Sequence, residues 1–229
     1  QEEHLVSIPS KPTNFNDILH LPGKWKYFFE KRYGLRSTLI RINSNFKLKV
    51  FGTSPNHDVL IGKNGWLFLA GEGILDYHRG SQKLDVEELR DWVNTLEEER
   101  QWLAARDINY LVVITPDTHT VYPEFLPSDV ITTPGSTSAD DLIAALANDT
   151  VVDVLDLRSV LQRAKKKSSL FYKTDTHWNL VGSWYATQAI LERLGISSAS
   201  ETGPVLSIPI QEIAVDGGDL ARMIGLNKQ

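Results

Sequence analysis

The sequence runs to 229 residues, 41% of them apolar and 23% charged, enough for one large domain with an ordinary globular core. Its net charge of −5 argues against a phosphate-backbone binder, so no nucleic-acid partner is expected. It contains no cysteine, which excludes disulfides, a thiolate nucleophile and a cysteine-ligated zinc site, and no run of about 20 apolar residues that would span a bilayer.

Residues 1–24 are polar, with Pro9, Pro12 and Pro22, and read as a loose arm ahead of a domain covering 25–229. Trp25, Phe28, Phe29, Tyr33 and Leu35 recur at near-helical spacing, predicting a helix over 25–47, interrupted near Gly34, with the aromatics used for packing. Val59-Leu60-Ile61 and Trp66-Leu67-Phe68-Leu69 flank Gly62-Lys63-Asn64-Gly65, and the Asn-Gly pair predicts a hairpin. Leu89, Trp92, Val93, Leu96, Trp102 and Leu103 mark a helix over 85–106, with Asp85 and Glu88 placed as a capping box. The apolar runs 110–115 and 151–157 predict buried parallel strands, separated by a helix over 139–147. A helix over 157–165 ends in Lys165-Lys166-Lys167, expected to be solvated, and a strong helix over 179–194 closes on Gly195. Alternating strands and helices predict an open α/β sheet, whose functional residues collect on loops beyond the strand ends, here 115–127 and 171–179.

Asp175-Thr176-His177 carries the most specific chemistry. In an extended loop, residues i and i+2 face one way, so the carboxylate can hold one imidazole nitrogen and leave the other free as a base. The competing account makes Asp175 the cap of the following helix. In the 115–123 segment, Asp117, His119 and Tyr122 can line the same cleft as Trp178 and Asn179. A metal reading of Asp175 and His177 needs further ligands, for which Asp117, His119, Asp216 and Asp219 are candidates. No His-Glu-x-x-His spacing occurs, and neither metal nor cofactor is expected. Asp216-Gly217-Gly218-Asp219 reads from spacing as a tight turn.

Four segments in order, residues 59–68, 116–124, 172–179 and 218–220, resemble the SGNH-hydrolase-like domain of AlgX/AlgJ-type alginate O-acetyltransferases. The resemblance covers 25–226 and implies a three-layer α/β/α sandwich with a mostly parallel central sheet and permuted catalytic motifs. It implies Asp175 and His177 as catalytic residues, with His119, Tyr122, Trp178 and Asn179 toward substrate. Also implied are a periplasmic setting, a polysaccharide acceptor and an acetyl-donating membrane protein of the same pathway. The family's nucleophilic serine follows its Asp-x-His motif. Here Ser183, Ser197, Ser198, Ser200 and Ser207 follow His177, and none sits in a nucleophile-type turn. The serine is therefore expected beyond Gln229. The alternative is a non-catalytic, glycan-binding or scaffold relative. Thr118 stands where many relatives carry a basic residue.

Overall fold

The computed structural model describes residues 7–32, 36–71, 73–128, 130, 136–196 and 217–226. The chain opens with two helices, α1 (Phe15–Arg32) and α2 (Arg36–Phe46), the latter running into a wide turn over Lys47–Phe51. The first helix thus starts ten residues before the expected one and absorbs Pro22. Gly34, the expected break, lies outside the described residues. Trp25, Phe28 and Phe29 of α1 pack on one another. Trp25 stacks on Phe29 at 5.5 Å, and both remain exposed.

The hairpin forms as its turn residues demand. Strands β1 (Val59–Ile61) and β2 (Leu67–Leu69) pair antiparallel, Leu60 opposite Phe68. Asn64 and Gly65 both take positive φ, 55° and 80°, the conformation that an Asn-Gly turn tolerates. A short helix α3 (Ile74–His78) follows, then the long α4 (Val86–Ala104). The Asp85 side chain accepts from the backbone of Glu87 and Glu88, and Glu88 returns the bond to Asp85 N–H, completing the capping box.

Strand β3 (Leu111–Ile114) runs into the single turn α5 (Thr118–Val121), then α6 (Ser138–Asp149) leads to β4 (Asp153–Asp156). The two strands pair parallel, Val112 opposite Val154. They are half-buried along their length where fully buried strands were expected. Among the described residues the parallel sheet has these two strands, and the hairpin forms a sheet of its own. Val112 and Val154 pack with Val93 and Leu96 of α4 and Leu146 of α6. The α6 start is a second capping box, Thr137 with Asp140. Arg158 clamps it to the end of β4, with its guanidinium 2.7 Å from both Asp140 and Asp156.

Helices α7 (Arg158–Ala164), α8 (Leu180–Arg193) and α9 (Asp219–Met223) complete the description. The main core joins Trp66 and Phe68 of the hairpin to Val121, Tyr122, Leu126, Leu161, Leu170 and Phe171. Lys165 is not simply solvated. Its ammonium contacts the Glu124 carboxylate at 3.0 Å and lies 5.3 Å from the Tyr122 ring centre, while Lys166 and Lys167 are exposed. What this architecture positions is the loop between Phe171 and Asn179, held at the edge of the main core.

Candidate active site

The loop is tied down at both ends. Phe171 and Trp178 face each other in an antiparallel bridge, and Asn179 N–H donates to Leu170 C=O at 2.8 Å. From the hairpin, Leu67 N–H donates to Lys173 C=O at 2.8 Å. Between these anchors the chain is a turn, not the extended segment expected from the sequence. Asp175 and His177 face together for a local reason. The Asp175 Oδ1 accepts from the His177 backbone N–H at 3.0 Å, which folds the imidazole back onto the same oxygen.

His177 Nδ1 stands 2.7 Å from Asp175 Oδ1. Asp175 Oδ2 accepts the Asp219 N–H at 2.9 Å from the start of α9. Burial raises the Asp175 carboxyl pKa. The backbone donors of His177 and Asp219, with the imidazole, outweigh it and hold the group below the usual carboxylate range. The Asp175 side chain is 18% exposed and that of His177 76%. A fixed, ionised carboxylate thus holds one nitrogen of a largely exposed imidazole, an arrangement able to orient a general base.

Asp219, offered from the sequence as a possible metal ligand and as part of a turn, buttresses this loop through hydrogen bonds. Its Oδ1 accepts Thr176 N–H at 2.9 Å, and its Oδ2 accepts the Thr176 hydroxyl and lies 3.6 Å from His177 Nδ1. Thr174 reaches back, its Oγ1 accepting Gly218 N–H at 3.1 Å. The Gly-Gly-Asp sequence read as a tight turn and, over 218–220, as one of the four family-like segments. What gives it meaning is docking against a loop 44 residues earlier. Asp175, His177 and Asp219 lie close enough to ligate a cation, yet both carboxylates are already engaged by N–H and O–H donors.

The remaining expected residues divide by burial. Tyr122 is buried at 6% exposure, its ring 4.4 Å from Trp66, and its hydroxyl accepts Leu170 N–H at 2.9 Å. It offers no face to a polymer. His119, at 3% exposure, likewise lies in the interior and not on a cleft. Its neighbour there is His78, 39 residues from Asp117 in sequence, whose Nε2 lies 2.8 Å from that carboxylate. Asn179 caps α8, the position proposed for Asp175 in the competing account. Its Oδ1 accepts from Val181 and Gly182, and its Nδ2 donates to Ser169 C=O. Trp178 is half-buried against the core beside His177. Ser183 lies within α8, while Ser197, Ser198, Ser200, Ser207 and Asp216 fall outside the described residues. Among the described residues no serine hydroxyl hydrogen-bonds to His177.

Residues 59–229 match the family model described as SGNH hydrolase-like domain, acetyltransferase AlgX. A probable alginate O-acetylase AlgJ of Pseudomonas aeruginosa is 27% identical over 202 residues, covering 87% of this chain and 48% of that protein. The protein of the same name in Pseudomonas putida is 27% identical over 191 residues, covering 80% of this chain and 47% of its own length. The chain therefore spans about half the length of these curated relatives. Among solved structures, the O-acetyltransferase domain of Pseudomonas putida AlgJ aligns with a TM-score of 0.47 at 23% identity, over 72% of this chain and 57% of that one.

Proposed function

The chain belongs to the AlgX family of SGNH hydrolase-like acetyltransferase domains, and from that premise we propose that it transfers acetyl groups to hydroxyls of an alginate-like exported polysaccharide. One observation carries the chemistry: a 2.7 Å contact between a locked Asp175 carboxylate and His177 Nδ1, with Nε2 on the exposed side of the ring.

With Nδ1–H donating to Asp175, Nε2 holds the lone pair and accepts the proton of a serine hydroxyl as its oxygen attacks the acetyl carbonyl. The tetrahedral adduct collapses to an acetyl-serine, and the donor's leaving oxygen takes the proton from the imidazolium. A sugar hydroxyl then gives its proton to Nε2 and attacks the acetyl-serine, and the returning proton restores the serine. Asp175 stabilises the imidazolium in both halves without becoming protonated, which its lowered pKa supports. The nucleophile in this reading is the serine that follows the Asp-x-His motif in the family order. The acetyl group would come from a membrane protein of the same pathway, with the reaction in the periplasm. No helix among the described residues is long and apolar enough to cross a membrane.

The test uses the full-length protein, assayed for acetyl-ester cleavage and for mass gain on polymannuronate oligomers. His177→Ala is expected to lower kcat by about 10⁴-fold or more, with Asp175→Asn losing a similar factor. Full activity in His177→Ala sinks the proposal.

A further inference from the structure

A second cluster of titratable groups lies outside the acyl-transfer site. His78 ends α3, Asp117 caps α5, and His119 lies within α5. His78 Nε2 stands 2.8 Å from Asp117 Oδ2, and His119 Nδ1 stands 3.5 Å from the same oxygen. The second separation is too long for a hydrogen bond, and both ring nitrogens of His119 are buried without a hydrogen-bond partner. An imidazole at 3% exposure with neither nitrogen satisfied runs against the rule that buried polar groups are paired. The two rings stack at 4.8 Å and 20°, so both converge on one carboxylate oxygen. A cation placed between them would take a ring lone pair from each imidazole and one from the carboxylate.

We propose that His78, Asp117 and His119 form a binding site for a divalent transition-metal ion of the zinc type. One ligand atom from each residue lies within 4.8 Å of the others. Metal–ligand bonds of about 2.0–2.2 Å place tetrahedral ligand atoms about 3.4 Å apart, so small side-chain rotations close the site. Two imidazoles and one carboxylate select zinc, cobalt or nickel over calcium and magnesium, which need oxygen-rich shells. Asp117 Oδ1 is already spent on Thr120 N–H at 2.9 Å, which fixes the carboxylate and leaves Oδ2 for the metal. The Asp117 side chain is 39% exposed and provides the route of entry, while His78 is 8% exposed. The ion clamps α3 to α5. The site does not depend on the acyl-transfer reading.

Full-length protein stripped with chelator is titrated with zinc chloride by calorimetry, and its thermal unfolding is followed with and without zinc. One tight equivalent and a higher Tm with zinc are expected. Asp117→Asn keeps an oxygen for the Thr120 cap and so preserves the fold. It is expected to weaken zinc binding about 100-fold or more, as is His78→Gln. His177→Ala is expected to leave binding unchanged. Zinc bound equally by wild type and Asp117→Asn, zinc lost in His177→Ala, or no bound equivalent in wild type overturns the site.

Discussion

Gly218 has φ of −65°, which any residue adopts, so the demand for glycine there is steric. A Cβ would lie 2.5 Å from both Asp175 Oδ2 and Thr174 C=O, so the carboxylate or the loop backbone would have to shift. Gly218→Ala is expected to destabilise the protein by about 1–3 kcal/mol and, by shifting Asp175, to lower kcat for acetyl-ester cleavage about 100-fold. Wild-type kinetics in a folded Gly218→Ala protein would separate α9 from the site. Tyr122 tests the opposite case, a residue expected at the cleft and found in the core. Tyr122→Phe leaves Leu170 N–H buried without its acceptor. A loss of about 1–3 kcal/mol in denaturant unfolding is expected, with polymer affinity unchanged. A change in affinity alone would return Tyr122 to the substrate.

At the scale of elements, Arg158 joins the end of β4 and the start of α7 to the start of α6. Burial raises the Asp140 pKa, but the Arg158 guanidinium and the Thr137 backbone and hydroxyl donors override it, to about 2. A carboxyl depressed on folding stabilises the protein above its unfolded pKa, near 4, and that contribution disappears as pH falls through the folded value. The Asp140 side chain is 39% exposed, so solvent screening reduces the effect to about 1 kcal/mol. Asp140→Asn, which keeps the capping oxygen, should be less stable than wild type by that amount at pH 7. The two unfolding curves should converge as pH falls from about 4 to about 2. A constant gap across that range would assign the loss to the cap and not to the charge. The elements themselves were largely legible from sequence. The capping box at Asp85 and the Asn-Gly turn act between near neighbours, and local pattern encodes them, whereas the cap of α8 fell to Asn179 and not to Asp175. The short helices α3, α5 and α9 were not foreseen, because pieces of four or five residues carry too little periodicity to register.

Across the whole molecule, one core carries the hairpin, the α5 turn and the 171–179 loop together. Phe68 is fully buried and touches this cluster, and its neighbouring residue Leu67 bonds Lys173 in the loop. Phe68→Ala is expected to cost roughly 3–5 kcal/mol and to lower Tm by about 10 °C in calorimetry. A shift of a degree or two would mean that the hairpin is an appendage and not part of the core. The sequence by itself determined the long helices, the hairpin and the two parallel strands, and that Asp175 and His177 share a direction, since residues two apart are coupled by the backbone between them. It also carried the family, through the order of four short segments. Tertiary structure alone decided that Gly218 and Asp219 lock the Asp175 carboxylate, that Tyr122 and His119 turn inward, and that His78 meets Asp117. Those contacts join residues 39 or more positions apart or depend on which face of a turn is buried. Packing sets them, and no local period records it.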